Sequence, residues 1–397
     1  MVPGTNNKPG DGVSRHVYEI SKRLSKKGFE LVNIEPSTDG SHGACLIDDT
    51  YILAKVPVTN LQAISTHLHK INRVFELASH YIQYREAVRK FSGTLNGPIL
   101  IHTHGFYAVC QPRNRSRKHR RVVTLHGFVP LDMLAKEQAH TQAIILRSFL
   151  RRIYKKAEKW TAISDRIKSM AINLYGIDQD MITVVPHGVS AKFFSKNVNH
   201  QEIQKIEERF RLDKPYRILF LGQLDRGKRP DILLKAFKIL RSRRHDVMLV
   251  IRSSWGDYYS DTLQLVKALK IQDIVRIIRE HVYGSDLATL YKASCTFVSI
   301  HLLTGPSTAL LEAMASGVPP IIYKHSSHRD VVNESCGIIL DTLDPLDLAN
   351  SIENLIEDKA LARRIGHNAA SKMLKEHDWD NIVVPRYVSL YDSLIQA

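Results

Sequence analysis

Short apolar runs of strand length alternate with helical patterns along the second half of the chain. Runs of this kind, rich in Val, Ile and Leu and without polar alternation, are typical of strands buried on both faces. The alternation therefore predicts a parallel sheet covered by helices on both sides. We expect strands at 217–221, 247–251, 275–278, 296–300, 321–322 and 337–340, and helices at 230–243, 260–270, 286–293 and 345–357.

The first half shows a similar but less regular alternation. Apolar residues at helical spacing predict a helix over 13–27, which ends at Gly28 and leads into a strand at 29–34. Residues 51–91 indicate a strand and a helical region. Several of the short strands expected in this half end in polar residues, at the sheet edge where doubly wound folds bind ligands. These strands are expected at 99–104, 121–126, 160–164 and 181–185.

The chain starts with a loop-like composition, because residues 1–12 are rich in Gly, Pro and Asn and no strand precedes the first helix. The first strand of a doubly wound domain is central, so a domain without it would have two unpaired strand edges. We therefore expect either that the natural start lies upstream or that the first domain is degraded.

Residues 304–320 contain the clearest local signals for a helix and its ends. Pro306 suits the first helical position, Ser307 and Thr308 suit capping of the first turn, and Gly317 precedes two prolines that end the helix. The free amides and the positive end of the helix dipole at 305–308 are suited to bind a phosphate.

Glu312 lies seven residues after Gly305, so its carboxylate is expected near the same helix face and directed toward the N-terminus. A phosphate site with a carboxylate behind it suits a nucleotide diphosphate, whose phosphates the amides would bind and whose ribose hydroxyls Glu312 would bind. The alternative is a capped amphipathic helix with one solvated glutamate.

Composition sets broad limits. The 397 residues are enough for two domains, and 44% apolar with 24% charged residues is typical of a soluble globular protein. No apolar run reaches the roughly 18 residues needed to cross a bilayer, and no signal peptide is apparent. The cysteines are few and scattered without C-x-x-C spacing, so we expect reduced thiols in a cytoplasmic protein: Cys45, Cys110, Cys295 and Cys336.

The formal net charge of +16 is partly concentrated at 113–121 and 147–159. Such clusters attract an acidic membrane surface, an acidic glycan or nucleic acid. Few aromatic residues accompany them, so no nucleic-acid partner is expected. The alternatives are a solvated basic face and peripheral attraction to the inner face of a membrane.

The run Leu-Glu-Ala-Met-Ala-Ser-Gly-Val-Pro at 311–319 resembles the signature of family 4 retaining glycosyltransferases of the GT-B fold. That family has two glutamates eight positions apart. Glu312 matches the second, which holds the donor ribose, and Thr304 replaces the first, which contacts the donor sugar. Gly12 resembles the second glycine of the family's N-terminal Gly-Gly-Val turn, which approaches the donor diphosphate.

Two further segments carry the resemblance. The family pattern after the strand at 217–221 is Gly-Arg-Leu followed by a lysine, and its two cations neutralise the donor diphosphate; here Gln223 replaces the arginine and Lys228 matches the lysine. Arg226 and Arg229 are candidate substitutes for the missing cation. His126 in Thr-Leu-His-Gly matches the family's histidine beside the transferred sugar.

The resemblance implies an α/β GT-B protein with two Rossmann-like doubly wound domains that face each other across a cleft. We expect an acceptor-side domain at 1–195, a linker at 196–215, a nucleotide-sugar domain at 216–379, and a final helix at 380–397 that packs back onto the first domain. The implied catalytic residues are His126, Lys228 and Glu312. The implied donor-binding residues are Gly12, Gln223, Lys228, Thr304, Gly305, Pro306, Ser307, Thr308 and Glu312.

The implied reaction is transfer of a hexosyl unit from a nucleotide-diphosphate sugar to a glycan or lipid-linked acceptor, with retention of configuration and without a cofactor or metal. Two other functions remain open: a catalytically impaired relative that binds a nucleotide sugar or a partner protein, and a sugar-nucleotide epimerase of the same fold. A metal site formed by His102, His104 and His126 is a further alternative, because the His-x-His spacing places His102 and His104 on one strand face.

Overall fold

The computed structural model describes residues 12–37, 43–48, 51–57, 86, 89, 99–104, 119–127, 157–254, 256–302 and 305–396. The chain folds as two compact units. The first comprises Met1–His187 with Trp379–Ala397, and the second comprises Gly188–Asp378.

The second unit contains a six-stranded sheet in which all paired neighbours are parallel. Numbered along the chain within this sheet, its strands lie in the spatial order 3-2-1-4-5-6, so the order reverses between the first and the fourth. In spatial order the strands are Val275–Ile278, Val247–Arg252, Tyr216–Leu221, Thr296–Ser299, Pro320–Tyr323 and Ile338–Leu340.

Helices cover both faces of this sheet. Consecutive strand residues point to opposite sides, so each strand contributes side chains to two cores. Leu219 and Phe297 are buried in one core and Ile218 and Val298 in the other. The helices expected from the sequence are present with shifts of one or two residues at their ends. The α-helices of this unit are Ala191–Phe194, His200–Phe210, Pro230–Arg243, Tyr259–Ala268, Gly284–Lys292, Thr308–Ala315, Pro345–Glu357 and Lys359–Lys372.

The segment expected to be a linker, 196–215, is instead part of the second unit. Asn199 caps the helix His200–Phe210 through a capping box with Glu202, and Ile206 is buried in the core of the unit. The division between the units therefore falls earlier than expected, between His187 and Gly188.

The first unit contains two sheets among its described residues. Four parallel strands form one of them, in the order Ile99–His104, His119–Leu125, Lys159–Ala162 and Ile182–Val184. In the other sheet the parallel pair Leu31–Ser37 and Tyr51–Pro57 is joined by Gly43–Asp48, an antiparallel strand that the sequence did not predict. Within the described part, Leu31–Ser37 and Ile99–His104 are each an edge strand of their sheet.

The last helix of the chain belongs to the first unit. The α-helices described there are Gly12–Ser25, Asp165–Tyr175 and Val384–Ile395. Tyr387 and Leu390 of the last helix share a core with Ile20 and Leu24 of the first. Cys295 and Cys336 are free thiols.

Candidate functional site

Two loops of the second unit lie side by side where the strand order reverses. One follows the strand Tyr216–Leu221 and the other follows its neighbour Thr296–Ser299. The amide of Leu302 in the second loop donates a hydrogen bond of 3.0 Å to the Gly227 carbonyl in the first. Open α/β sheets bind ligands at this position, outside the carboxyl ends of the strands.

The first loop holds Lys228 in a partly buried position. Asp225 caps the short 3₁₀ turn Arg226–Lys228, and its second carboxylate oxygen lies 3.6 Å from the Lys228 ammonium. Burial lowers the pKa of Lys228, and the Asp225 charge opposes that shift. Gly222, which precedes this loop, has φ +150°, a backbone conformation that favours glycine, and a Cβ there would lie 3.0 Å from Lys228 Nζ.

Two histidines that the sequence did not single out lie beside Lys228. The rings of His301 and His328 are 3.8 Å apart, and His328 Nε2 lies 2.7 Å from Ser299 Oγ. Burial and then the Lys228 charge lower the pKa of His301 to about 4, against a hydrogen bond to the Gly305 backbone that raises it. Burial, His301 and Lys228 lower the pKa of His328. Both imidazoles are therefore neutral at pH 7.

The second loop leads into the capped helix expected from the sequence. Ser307 is the N-cap of Thr308–Ala315, and its hydroxyl accepts from the Leu310 amide at 3.2 Å. Pro306 is buried, and Gly305 has φ +92°, a conformation that favours glycine. Because the first amides of a helix have no acceptor within it, this end presents donors beside Gly305 and its partner His301.

Glu312 is buried, with 2% of its surface exposed, and its Oε2 accepts a 3.0 Å hydrogen bond from the Tyr291 hydroxyl. Every residue from 309 to 315 is buried as well. The alternative of an amphipathic helix with a solvated glutamate is therefore wrong. The helix is enclosed by the core, and one carboxylate lies inside it.

The candidate substitutes for the missing second cation have other partners. Arg229 forms two hydrogen bonds with Asp231, at 3.0 and 2.9 Å, and the Arg226 guanidinium lies 5.4 Å from the centre of the Tyr258 ring. Gln223 is half-buried in the turn after Gly222. Thr304 lies outside the described residues.

Gly12 and His126, the other predicted site residues, belong to the first unit. Gly12 is exposed and begins the helix Gly12–Ser25, which carries the fully buried His16 one turn later. His126 follows the strand His119–Leu125, and its Nε2 lies 2.9 Å from Nδ1 of His104. The rings of His126 and His16 are 4.8 Å apart.

Three histidines of the first unit, His16, His104 and His126, lie close together, the first two buried and His126 half-buried. Burial, followed by the neighbouring histidines, lowers the pKa values of His16, His104 and His126. One ligand atom from each of these three lies within 4.8 Å of the others, which is a possible arrangement for a metal ion. His102, which the sequence placed in the expected trio, is not one of these three. Its ring instead bonds to Tyr391 Oη and Thr124 Oγ1, each at 2.6 Å.

Three described members of the basic clusters do not form a freely solvated face. Arg121 is 2% exposed and pairs through two nitrogens with the Glu158 carboxylate. Arg120 donates to the Leu394 carbonyl, and Lys159 donates to the Asp180 carbonyl. For these residues the basic side chains stabilise the first unit. No helix in the described part of the chain has the length and apolar character to cross a membrane.

Two family models together match most of the chain. Glycosyltransferase Family 4 matches residues 10–193, and Glycosyl transferases group 1 matches residues 202–372. A D-inositol 3-phosphate glycosyltransferase of Paenarthrobacter aurescens is 28% identical over 204 residues, which are 50% of this chain and 49% of that protein. The chain thus matches about half the length of this curated relative.

Solved structures show the same fold at low identity. Sucrose-phosphate synthase from Thermosynechococcus elongatus has a TM-score of 0.79 and 18% identity, with 98% of this chain and 94% of that chain covered. Anabaena HepE, solved in complex with UDP and glucose, has a TM-score of 0.67 and 15% identity, with 98% of both chains covered. The expected fold class, α/β with two Rossmann-like domains of GT-B type, is confirmed.

Proposed function

We propose that the chain transfers a hexosyl unit from a nucleotide-diphosphate sugar to a glycan or lipid-linked acceptor, with retention of configuration. The proposal starts from the family, because the chain belongs to the family 4-type glycosyltransferases of the GT-B fold. The relative from Paenarthrobacter is a glycosyltransferase, and HepE is a fold neighbour solved with UDP and glucose. Both support a nucleotide sugar as the donor.

The observation that carries this proposal is the pairing of Lys228 with the N-terminus of the helix Thr308–Ala315 at the reversal of strand order. Both features present positive electrostatic potential to the same loop junction, which the Leu302–Gly227 hydrogen bond holds together. A donor diphosphate bound there has its negative charge balanced by an ammonium and by backbone amides.

Departure of the nucleoside diphosphate is the step that this arrangement would accelerate. Negative charge develops on the leaving phosphate, and fixed donors in a partly dry site stabilise such charge far better than water does. In a retaining transfer of this type, the acceptor hydroxyl attacks the face from which the phosphate departs, and that phosphate accepts the hydroxyl proton. No cofactor or metal is needed for this step.

We assign the remaining roles on the same basis. Glu312 accepts hydrogen bonds from the donor ribose, with Tyr291 fixing its carboxylate. His126 is neutral, so its ring donates to or accepts from a sugar hydroxyl without adding charge. Gln223 and the amides at Gly305 and Ser307 complete the donor contacts within the second unit.

A transfer assay tests the proposal. Radiolabelled UDP- and GDP-sugars are incubated with glycan and lipid-linked acceptors, with and without EDTA, and we expect labelled product of retained configuration in both conditions. Glu312→Gln should lower the rate by about 10²-fold or more, the size seen when one such polar contact is removed. The control Glu376→Gln changes a carboxylate that is 57% exposed, and its rate should equal that of the wild type.

A non-catalytic relative that binds a nucleotide sugar is the second candidate. The substitutions Gln223 and Thr304 favour it, because they remove a cation and a carboxylate from the family pattern. Nucleotide-sugar binding without transfer or hydrolysis would select this function. Conversion of a UDP-sugar in the absence of any acceptor would instead identify an epimerase.

We also propose peripheral attraction to acidic membrane, supported by the formal net charge of +16. Co-sedimentation with phosphatidylserine-containing vesicles should decrease as salt is raised from 50 to 500 mM. Binding that is insensitive to both salt and lipid charge would contradict this attraction.

A further inference from the structure

The described side chains beside the Lys228 ammonium leave the diphosphate site nearly neutral. Asp225 lies 3.6 Å from Lys228 Nζ, so one negative charge opposes the one positive charge. A nucleotide-diphosphate sugar brings about two negative charges, one on each phosphate. If Asp225 stays ionised, the bound diphosphate is short of a compensating cation, apart from the partial charge of the helix end.

His301 is placed to supply that cation. It lies two residues after the end of the strand Thr296–Ser299, only 5% of its surface is exposed, and it lies close enough to Lys228 for the two charges to interact. Its ring bonds to the Gly305 backbone at the start of the phosphate-binding loop. Within the described part of the chain, its buried Nε2 has no hydrogen-bond partner. A buried ring nitrogen without a partner is unfavourable in the free protein and calls for a ligand.

We propose that His301 takes up one proton when the diphosphate of a nucleotide sugar binds, and that the resulting imidazolium donates from Nε2 to a phosphate oxygen. The proton comes from solvent and adds to the lone pair of Nε2, while Nδ1–H keeps its hydrogen bond to Gly305. The proton returns to solvent when the nucleotide leaves. This inference rests on the proposed function of the site.

The groups that face His301 fix the sign of the pH dependence. Burial, and then the Lys228 charge, lower the pKa of His301 in the free protein, His328 packs against its ring, and Asp225 lies 3.6 Å from Lys228 Nζ. Nε2 of His328 already has a hydrogen-bond partner in Ser299 Oγ, so His301 is the histidine ring next to the phosphate-binding loop. A bound diphosphate adds negative charge and so raises the pKa of His301 from about 4. Affinity therefore rises as pH falls through the raised pKa of the bound form, by at most tenfold per pH unit for one proton, and levels off below about pH 4, the pKa of His301 in the free protein.

Calorimetry of the full chain with UDP-glucose tests this linkage. Both phosphates of UDP-glucose are diesterified, so the ligand itself has no phosphate that titrates near pH 6, unlike UDP. Titrations at pH 6.5 in two buffers of different ionisation enthalpy give the number of protons taken up. We expect a fraction of a proton up to about one for the wild type, and a value near zero for His301→Asn, whose amide retains a donor toward Gly305.

His325→Asn is the matched control, because His325 is exposed on the same unit and the substitution is identical. It should leave proton uptake unchanged. The wild-type titration by itself gives the number of protons taken up on binding. If His301→Asn does not fold, His301→Gln is used for the comparison instead. GDP-mannose replaces UDP-glucose if the latter does not bind.

The outcomes separate the two proposals. Binding without proton uptake, or uptake that persists in both His301 variants, overturns the role of His301 and leaves the proposed function intact. Failure of the wild type to bind either nucleotide sugar overturns the proposed function, and the role of His301 with it.

Discussion

Glu312 is the buried carboxylate of the helix Thr308–Ala315. It lies in a helix whose other residues from 309 to 315 are apolar and buried, and a buried carboxylate is unfavourable unless it is hydrogen-bonded. Tyr291 supplies one such bond, to Oε2. An apolar side chain at position 312 would pack into the same core without this requirement. The proposed contact with the donor ribose accounts for a carboxylate at this position.

Tyr291→Phe should destabilise the second unit, because it removes a hydrogen bond to a buried charged group. Such bonds contribute about 1.5–3 kcal/mol, and we expect a loss of unfolding free energy in that range. Urea unfolding followed by fluorescence measures it. Tyr283→Phe is the control, since Tyr283 is 39% exposed. Equal unfolding midpoints for Tyr291→Phe and the wild type would contradict the role given to this hydroxyl.

At the residue scale, the sequence indicated some functional groups and missed others for physical reasons. Lys228 and Glu312 were predicted as site residues because their segments resemble the family's motifs, and a helix cap also marks the segment of Glu312. His301 was missed although it follows a strand at a ligand-binding edge, a position that could have identified it. Tyr291 and His328 carried no such signal, because their roles depend on tertiary neighbours distant in sequence.

At the element scale, the helix Thr308–Ala315 is held by a close contact at its end. Gly317 follows the helix with φ +74°, and its carbonyl faces Gly366 in the helix Lys359–Lys372. A Cβ at Gly366 would lie 2.1 Å from the Gly317 oxygen, well inside contact distance. Only a glycine at 366 lets the two backbones approach this closely.

Gly366→Ala should therefore destabilise the second unit, by about 1–3 kcal/mol for an overpacked site. Helix propensity alone would predict the opposite, a gain of about 1 kcal/mol, so the sign of the change is diagnostic. Chemical unfolding compares this variant with His367→Ala, an exposed position in the same helix. A stability gain for Gly366→Ala would show that the close approach is absent.

The elements themselves were predicted unevenly. The buried strands of the second unit were predicted to within about two residues, because short apolar runs bounded by turn residues mark both the type of the element and its ends. The helix His200–Phe210 was taken for a linker, since its surface is mostly charged, although Asn199 and Glu202 form a capping-box pattern that signals a helix start. The strand Gly43–Asp48 was not predicted. It pairs with a later strand, and the pattern of apolar residues within one segment does not show such pairing.

On the scale of the whole molecule, buried neutral histidines should make the protein sensitive to acid. Their pKa values are lowered in the folded state, so the unfolded chain binds more protons below pH 6.5 and stability falls as pH falls. Each such group contributes at most about 1.4 kcal/mol per pH unit in that window. The groups are His16, His102, His104 and His126 in the first unit, and His301 and His328 in the second.

Chemical unfolding at pH 7.5 and 5.5 measures this sensitivity. We expect a clear drop in unfolding free energy between the two values, and a smaller drop for a His16→Gln variant, which has one buried imidazole fewer. Carboxylates titrate mostly below this range, so they do not mask the effect. Stability that does not change between pH 7.5 and 5.5 would contradict the neutral, buried state of these rings.

Binding of a nucleotide sugar to Lys228→Ala tests the central claim most directly, because that claim requires the Lys228 ammonium and the amides of the helix Thr308–Ala315 to hold a diphosphate. Calorimetry compares wild type, Lys228→Ala and the control Lys324→Ala, whose lysine is 40% exposed in the same unit. We predict that Lys228→Ala weakens binding by about 30-fold or more, as for loss of one partner of a desolvated charge pair, and that Lys324→Ala binds as the wild type does. Equal affinity of Lys228→Ala and the wild type would contradict the account.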